Sequence, residues 1–219
     1  MTKNKLTEIA DRLETDKGLN FREGHGFTEF YYDYFQRLKD TGEKVYILEI
    51  GVYWGDSLHM YNEFFDGNCE IYGIDIDLSQ NKYQAPDNVH LFQLDANDKR
   101  QVDEFLNEIG DIKFDFILDD GSHNFEHQYH DFLWFHDRVK PDGKYILEDL
   151  HTWSWGYRED SPLYAMTFFE KPSILSDDEY HEFRDAIKYV NLFTHNNPKA
   201  SHGNKTSSTA IITLNQKIN

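Results

Sequence analysis

The sequence has 219 residues, 39% of them hydrophobic, which is enough for one domain to bury a core of its own. Its formal net charge of −18 excludes a protein that binds nucleic acid or an anionic membrane through a broad basic face. A small anionic substrate is not excluded, because a pocket can differ in charge from the whole molecule. The one cysteine, Cys69, excludes an internal disulfide and is predicted to be a buried, inert thiol.

The sequence shows no targeting or membrane segment. Residues 1–5 lead into polar, helix-like sequence without the apolar core of a signal peptide. No apolar run approaches the 18 residues expected of a transmembrane helix. We therefore expect a cytoplasmic protein.

The first 43 residues are predicted to form a helical cap. Apolar side chains from Phe30 to Leu38 recur at helical spacing, and a loop over residues 17–26 interrupts the helical pattern. Residues 44–149 then alternate short apolar strands with helices, which indicates βαβ units and a parallel sheet. The predicted strands are 45–50, 70–75, 89–94, 114–118 and 144–147, and the helices are 56–65, 98–109 and 125–137.

Beyond residue 149 the pattern changes. Residues 150–176 are irregular and aromatic, which favours a lid or a subunit contact. Residues 177–219 are predicted to contain a helix at 177–187 and an antiparallel pair of strands at 188–194 and 208–214. We predict one α/β domain, a doubly wound, mostly parallel seven-stranded sheet that an antiparallel C-terminal hairpin closes.

A glycine turn follows the first predicted strand, in the segment Glu49-Ile50-Gly51-Val52-Tyr53-Trp54-Gly55-Asp56-Ser57. Glycine lets the backbone turn tightly and approach a ligand, and the next helix offers free N–H groups. The spacing matches neither the dinucleotide fingerprint nor a P-loop, so a ligand without a pyrophosphate is favoured. Asp75 ends the next strand, where its carboxylate can accept both hydroxyls of a ribose.

These residues resemble the motif series of the class I methyltransferases: Glu-Ile-Gly-Val-x-x-Gly, then Tyr-Gly-Ile-Asp, then Leu-Asp at 94–95. The resemblance implies S-adenosylmethionine as the methyl donor. It implies that Glu49 and Gly51 line the methionine end, that Asp75 holds the ribose and that Asp95 lies near the adenine. The predicted cofactor-binding set is Glu49, Gly51, Gly55, Ser57, Asp75, Asp95 and Asp119.

Acidic residues also follow the two later strands, at Asp119-Asp120 and at Glu148-Asp149. Ligands of open parallel sheets bind beyond the carboxyl ends of the strands, so we expect these carboxylates to converge there. Carboxylates gathered in one place repel one another unless a cation neutralises them. An all-oxygen set selects a hard divalent ion, Mg²⁺ first, with Mn²⁺ or Ca²⁺ as alternatives.

Asp-Asp-Gly-Ser-His at 119–123, followed by Glu-Asp-Leu at 148–150, resembles the metal-dependent sugar O-methyltransferases that act on macrolide deoxysugars and similar glycans. The segment Thr15-Asp16-Lys17-Gly18 adds to this resemblance. It implies Asp120, Glu148 and Asp149 as metal ligands and His123 as the base. The chemistry agrees, because a bound dication lowers the pKa of a hydroxyl and a neutral imidazole can then take its proton.

The resemblance makes a sugar hydroxyl the expected acceptor. Open coordination positions on the metal favour a substrate with two neighbouring hydroxyls. The chain lacks the large amino-terminal extension of some macrolide enzymes, so we expect a smaller acceptor, such as a nucleotide-activated sugar or a surface-glycan (capsule) precursor. We expect no nucleic-acid or membrane partner, and a homo-oligomer stays open.

Two alternatives remain at this stage. The segment His123-Asn124-Phe125-Glu126-His127 matches the inverted pattern of zinc peptidases, which would make His123 and His127 zinc ligands. The second alternative keeps the fold but changes the chemistry, to a metal-independent N-methyltransferase of a small amine or a non-catalytic cofactor-binding subunit.

Overall fold

The computed structural model describes residues 3–20, 24–150, 152–153, 156–157, 168–170, 174–196 and 206–215. Its helices are α1 (Lys5–Leu13), α2 (Phe27–Asp40), α3 (Asp56–Phe64), α4 (Lys99–Ile109), α5 (Phe125–Phe135) and α6 (Asp177–Ala186). Its strands are β1 (Val45–Ile50), β2 (Cys69–Asp75), β3 (Val89–Gln93), β4 (Phe114–Asp119), β5 (Val139–Leu147), β6 (Thr152–Trp153), β7 (Gly156–Tyr157), β8 (Ile187–Asn196) and β9 (Thr206–Leu214).

The main sheet has seven strands within the described ranges, in the order β3-β2-β1-β4-β5-β9-β8. The first five run parallel, and β9 pairs antiparallel with both β5 and β8. This order confirms the predicted doubly wound sheet with an antiparallel C-terminal pair. A separate antiparallel ribbon joins β6 to β7.

Five strands are longer than predicted, four of them by one to three residues and β5 by five. Strand β5 begins at Val139 rather than at Lys144. The prediction missed these residues because Pro141-Asp142-Gly143, which lie inside the strand, are typical of a turn. The ladder between β4 and β5 shifts register between Phe114 and Phe116, so the strand continues past these residues.

Each face of the sheet packs against a hydrophobic core, and the N-terminal helices belong to one of them. Phe35 of α2 is fully buried and stacks on Phe116 of β4, with ring centroids 4.3 Å apart. A hydrogen bond of 2.8 Å between the buried hydroxyls of Thr7 and Thr28 joins α1 to α2. The predicted helical cap is therefore part of the core, and Cys69 is buried there too, as predicted.

The predicted aromatic segment 150–176 lies largely outside the described residues, and so does the lid or contact role expected of it. At its described end, Phe168 is fully buried and stacks on Tyr129 of α5, with centroids 4.2 Å apart. In the part of the chain that the structure describes, no helix combines the length and the apolar character needed to cross a membrane.

Replacing Phe35 with alanine should lower the free energy of unfolding by about 3–5 kcal/mol, because the buried ring leaves a cavity between α2 and the sheet. Urea denaturation followed by circular dichroism measures this loss. Ile174→Ala is the matched control, since 44% of the Ile174 side chain is exposed and little change is expected. Equal losses in the two variants would contradict the packing described here.

Candidate active site

A cavity of about 600 Å³ lies beyond the carboxyl ends of the parallel strands, within the size range of small-molecule sites. It is centred where the strand order reverses, between β1 and β4. The glycine turn after β1, the acids that follow β2, β3 and β4, and the segment Glu14–Lys17 all line it. The predicted ligand site and the helical cap therefore meet at one cavity.

The glycine turn brings the backbone close to the end of β4. Gly51 and Gly55 have φ angles of +90° and +83°, which side chains rarely adopt. A Cβ atom at Gly51 would also collide with the carbonyl oxygen of Asp120. Glycine at position 51 is thus required both by the backbone conformation and by the close approach of the acidic loop.

Asp75 and Asp95 line the cavity as predicted. One oxygen of the Asp75 carboxylate, Oδ2, accepts hydrogen bonds from the backbone N–H groups of Val52 and Tyr53, at 2.7 and 2.9 Å. Its second oxygen accepts one from the backbone of Asp77 at 2.9 Å. Asp75 therefore also fixes the shape of the glycine turn.

Glu49, Ser57 and Asp119 take up different positions around the cavity. Ser57 lines it and donates a hydrogen bond of 2.6 Å to Glu49, which is fully buried behind it. Asp119 is also fully buried, and Gly121 N–H donates to it at 3.3 Å. Burial raises the pKa of each carboxyl, Glu49 and Asp119, to about 7.

The strand ladders set the two later acid pairs side by side. Asp119 is level with Ile50 of β1 and with Leu147 of β5. Backbone hydrogen bonds continue one residue further, from Asp120 N–H to the Ile50 carbonyl at 2.9 Å and from Glu148 N–H to the Asp119 carbonyl at 3.0 Å. The convergence of these acids follows directly from parallel pairing.

Asp120, Asp149 and His123 form a compact group. One ligand atom from each lies within 4.8 Å of the others. The His123 ring lies between the acids, with Nε2 3.5 Å from Asp149 Oδ2 and Nδ1 4.0 Å from Asp120 Oδ1. His123 and Asp149 both have left-handed backbones, at φ +56° and +54°, a strained conformation that clusters at functional sites.

This group fits a divalent cation. Carboxylate oxygens and imidazole nitrogens are ligands of such ions, and the spacing lets one ion contact all three side chains. His123 Nδ1 is buried and has no hydrogen-bond partner among the described residues. The predicted ligand Glu148 lies next to this group but is not part of it, since its carboxylate binds other side chains.

Lys17 lies among the acids of the site, a position that the sequence patterns did not reveal. Its side chain is only 2% exposed, and its ammonium donates to Asp120 and to Glu148 Oε2, the latter at 2.6 Å. Glu49 Oε1 lies 3.8 Å away. Burial alone would lower the pKa of Lys17, but Asp120 and Glu148 outweigh it, so the pKa lies well above its ordinary value.

Hydrogen bonds to the backbone fix the loop that carries Lys17. The Asp11 carboxylate accepts from the backbone of Leu19 and Asn20, at 2.7 and 2.9 Å, and Thr28 N–H donates to the Lys17 carbonyl at 3.1 Å. In the sequence, the segment Thr15-Asp16-Lys17-Gly18 indicated a family resemblance but did not predict the contacts of Lys17 with the acids.

Two further side chains reach the acids from α2 and from the loop before it. Tyr31 OH donates to Glu148 Oε1 at 2.6 Å and contacts Thr209 of β9 at 3.1 Å. His25 Nδ1 lies 2.5 Å from Ser207 Oγ and 3.9 Å from Asp149 Oδ1. Both contacts join segments far apart in sequence, which explains why local patterns did not predict them.

The zinc-peptidase pattern is not realised. His123 precedes α5, which begins at Phe125, so the two histidines do not share a helical face. His127 Nδ1 instead lies 2.7 Å from Ser122 Oγ. Within the described residues, neither His127 nor Glu126 belongs to a group that could hold a metal ion.

Comparison with known proteins shows what this chain is similar to. Residues 48–150 match the model of a methyltransferase domain. Demethylmacrocin O-methyltransferase of Streptomyces fradiae is 33% identical over 164 residues, which are 71% of this chain and 39% of that enzyme. Mycinamicin VI 2''-O-methyltransferase of Micromonospora griseorubida is 33% identical over 158 residues, 68% of this chain and 37% of its own. The chain thus spans well under half the length of these curated relatives.

The fold is similar to that of a methyltransferase whose structure is known. The methyltransferase MycE of the mycinamycin pathway, solved with Mg, SAH and mycinamycin VI, superposes with a TM-score of 0.64 at 24% identity. The match covers 98% of this chain and 55% of MycE. The likeness to MycE shows the fold, and the domain match shows that residues 48–150 form a methyltransferase domain.

Proposed function

We propose that the protein transfers a methyl group from S-adenosylmethionine to a sugar hydroxyl, with a divalent metal ion in the site and His123 as base. The observation that carries this proposal is the convergence of Asp120, Asp149 and His123 at the edge of the cavity. The matched relatives support it, since their names describe O-methyltransferases of demethylmacrocin, of mycinamicin VI and, in Streptomyces olivaceus, of a rhamnosyl tetracenomycin.

The cofactor would occupy the cavity beside the glycine turn. Asp75 and Asp95 line it where a ribose and an adenine are expected, and Gly51, Gly55 and Ser57 line it as well. Of the described lining side chains, eight are carboxylates and one is a lysine, Lys17. Such a cavity attracts the positive sulfonium of S-adenosylmethionine.

Asp120, Glu148 and Asp149 would hold the metal, with Mg²⁺ as the ion that an oxygen-rich set favours. A bound dication lowers the pKa of a coordinated hydroxyl and thus makes it a better nucleophile. Asp120 and Asp149 already face each other across His123. Glu148 lies one residue before Asp149, and the Tyr31 hydroxyl donates a hydrogen bond to the Glu148 carboxylate.

His123 would take the proton of the acceptor hydroxyl as the oxygen attacks the methyl carbon. Its ring lies between Asp120 and Asp149, within reach of a hydroxyl bound at those carboxylates. The His123 imidazole has two candidate roles, as a base and as a metal ligand. The role of base fits a magnesium site better, because imidazole is a ligand of softer ions.

The charge of the cavity affects which acceptor molecules it can bind. A lining dominated by carboxylates repels the diphosphate of a nucleotide sugar and tolerates a neutral or cationic glycoside. One matched relative is named for a substrate that carries a rhamnosyl group, a neutral sugar. We therefore propose a neutral or amino-bearing glycoside with two adjacent hydroxyls, and the nucleotide-sugar and surface-glycan acceptors expected from the sequence stay untested predictions.

The deciding experiment is methyl transfer from labelled S-adenosylmethionine to a panel of glycosides and nucleotide sugars, with and without a chelator. We expect labelled product only when Mg²⁺ is present, and more from glycosides than from nucleotide sugars. Methylation that survives chelation would instead favour the metal-independent N-methyltransferase. A protein that does not bind the cofactor would contradict both enzyme hypotheses.

Replacing His123 with alanine should lower kcat by about 10²–10⁴-fold, the usual contribution of a general base. The affinity for Mg²⁺, measured by calorimetry, should stay within about threefold if the imidazole is a base and not a ligand. His181→Ala on α6, an exposed histidine, controls for the substitution itself. A large loss of metal affinity in His123→Ala would show that the ring is a ligand.

Replacing Asp75 with alanine should weaken S-adenosylmethionine binding by about 10–100-fold, as expected for the loss of charge-assisted hydrogen bonds. Equilibrium dialysis with labelled cofactor measures the dissociation constant. Asp87→Ala is the matched control, because Asp87 is exposed in the loop before β3. An unchanged dissociation constant in Asp75→Ala would remove Asp75 from the cofactor site.

A further inference from the structure

Lys17 binds the carboxylates that the proposed function assigns to the metal. Its ammonium lies against Asp120 and 2.6 Å from Glu148 Oε2. Mg²⁺ binds carboxylate oxygens at about 2.0–2.1 Å, so an ion held by these residues would lie within a few ångströms of the ammonium. Two cations that close repel each other strongly in a buried site, where little water screens them.

Glu148 is also held by contacts other than Lys17. Tyr31 OH donates to the other oxygen of the carboxylate, Oε1, at 2.6 Å. Gln128 Nε2 donates to the Glu148 backbone carbonyl at 3.0 Å. The carboxylate would therefore stay in place, with Oε2 available, if the ammonium moved away.

Lys17 also neutralises part of the negative charge of the acids around it. Its ammonium is shared among Asp120, Glu148 and Glu49, so one positive charge offsets three negative charges. Without it, these acids would repel one another in a low-dielectric environment. An internal cation thus keeps the acids together when no metal ion is bound.

We propose that Lys17 is a built-in counter-cation that competes with the divalent metal ion for Asp120 and Glu148. It keeps the acidic site folded without the ion, and it weakens metal binding so that the ion can exchange. This inference rests on the proposed function, because it takes Asp120 and Glu148 as metal ligands.

The test is Lys17→Met, which removes the charge and keeps much of the side-chain volume. Calorimetric titration with Mg²⁺ should give a dissociation constant at least about tenfold lower than that of the wild type. The metal-free variant should melt at a lower temperature than the wild type, and Mg²⁺ should raise its Tm more. Lys44→Met is the matched control, since Lys44 is exposed and pairs with Glu70, 2.8 Å away, on the rim of the sheet.

Each outcome separates the two proposals. Mg²⁺ binding by the wild type with equal or weaker binding by Lys17→Met overturns the role of Lys17 and leaves the proposed function intact. Binding by the variant alone supports competition. No binding by either protein overturns the metal site, and the role of Lys17 with it.

If Lys17→Met does not fold without metal, recovery of the folded protein in Mg²⁺ supports the proposal. If it does not fold in either condition, Lys17→Gln, which removes the charge and keeps a hydrogen-bond donor, is titrated in the same way. The ¹⁵N resonance of the Lys17 ammonium in the wild type gives an independent measurement. It should shift as Mg²⁺ saturates the protein, and an unchanged resonance at saturation overturns the competition.

Discussion

Lys17 Nζ lies among Asp120, Glu148 and Glu49, in a part of the molecule that water scarcely reaches. Placing several carboxylates together in a protein interior is costly, because each loses its hydration and each repels the others. One ammonium lowers that cost by supplying the opposite charge and three hydrogen-bond donors. The acidic end of the sheet can exist in this form because the lysine is there.

The same interaction explains why the N-terminal helices are part of the domain that holds the site. The loop between α1 and α2 supplies Lys17, and α2 supplies Tyr31, which binds the other oxygen of Glu148. On its buried face, α2 packs against the sheet through Phe35 and Phe116. Hydrophobic packing thus sets where the loop lies, and the ion pairs fix the polar groups that it carries.

The sequence was most informative about features with a local or periodic signal. Strand β1, predicted at Val45–Ile50, has those bounds in the structure, because an apolar run flanked by polar residues specifies a buried strand. Asp75, Asp95 and Asp120 line the cavity because parallel strands bring their carboxyl ends to one edge. These predictions needed only the alternation of strands and helices.

What the sequence did not predict depends on contacts between distant segments. Neither Lys17 nor His25 lies in a pattern that states its partner, and Glu148 was expected beside a metal ion, not beside a lysine. The early start of β5 was missed because Pro141 and Gly143 signal a turn, whereas in the structure they lie in the irregular stretch between the pairs Phe114–Val139 and Phe116–Lys144. Tertiary structure overrides local preference at these positions.

The insertion of β9 between β5 and β8 has a consequence for how the protein is made. The site joins Lys17 to Glu148 across 131 positions and His25 to Ser207 across 182. A nascent chain released only as far as Leu150, just beyond β5, already contains the glycine turn and every proposed metal ligand. It still lacks the strand that covers the edge of β5 and supplies Ser207 and Thr209. Such an intermediate exposes an unpaired strand edge next to a dense negative charge, so the last strand to emerge completes both the sheet and the site.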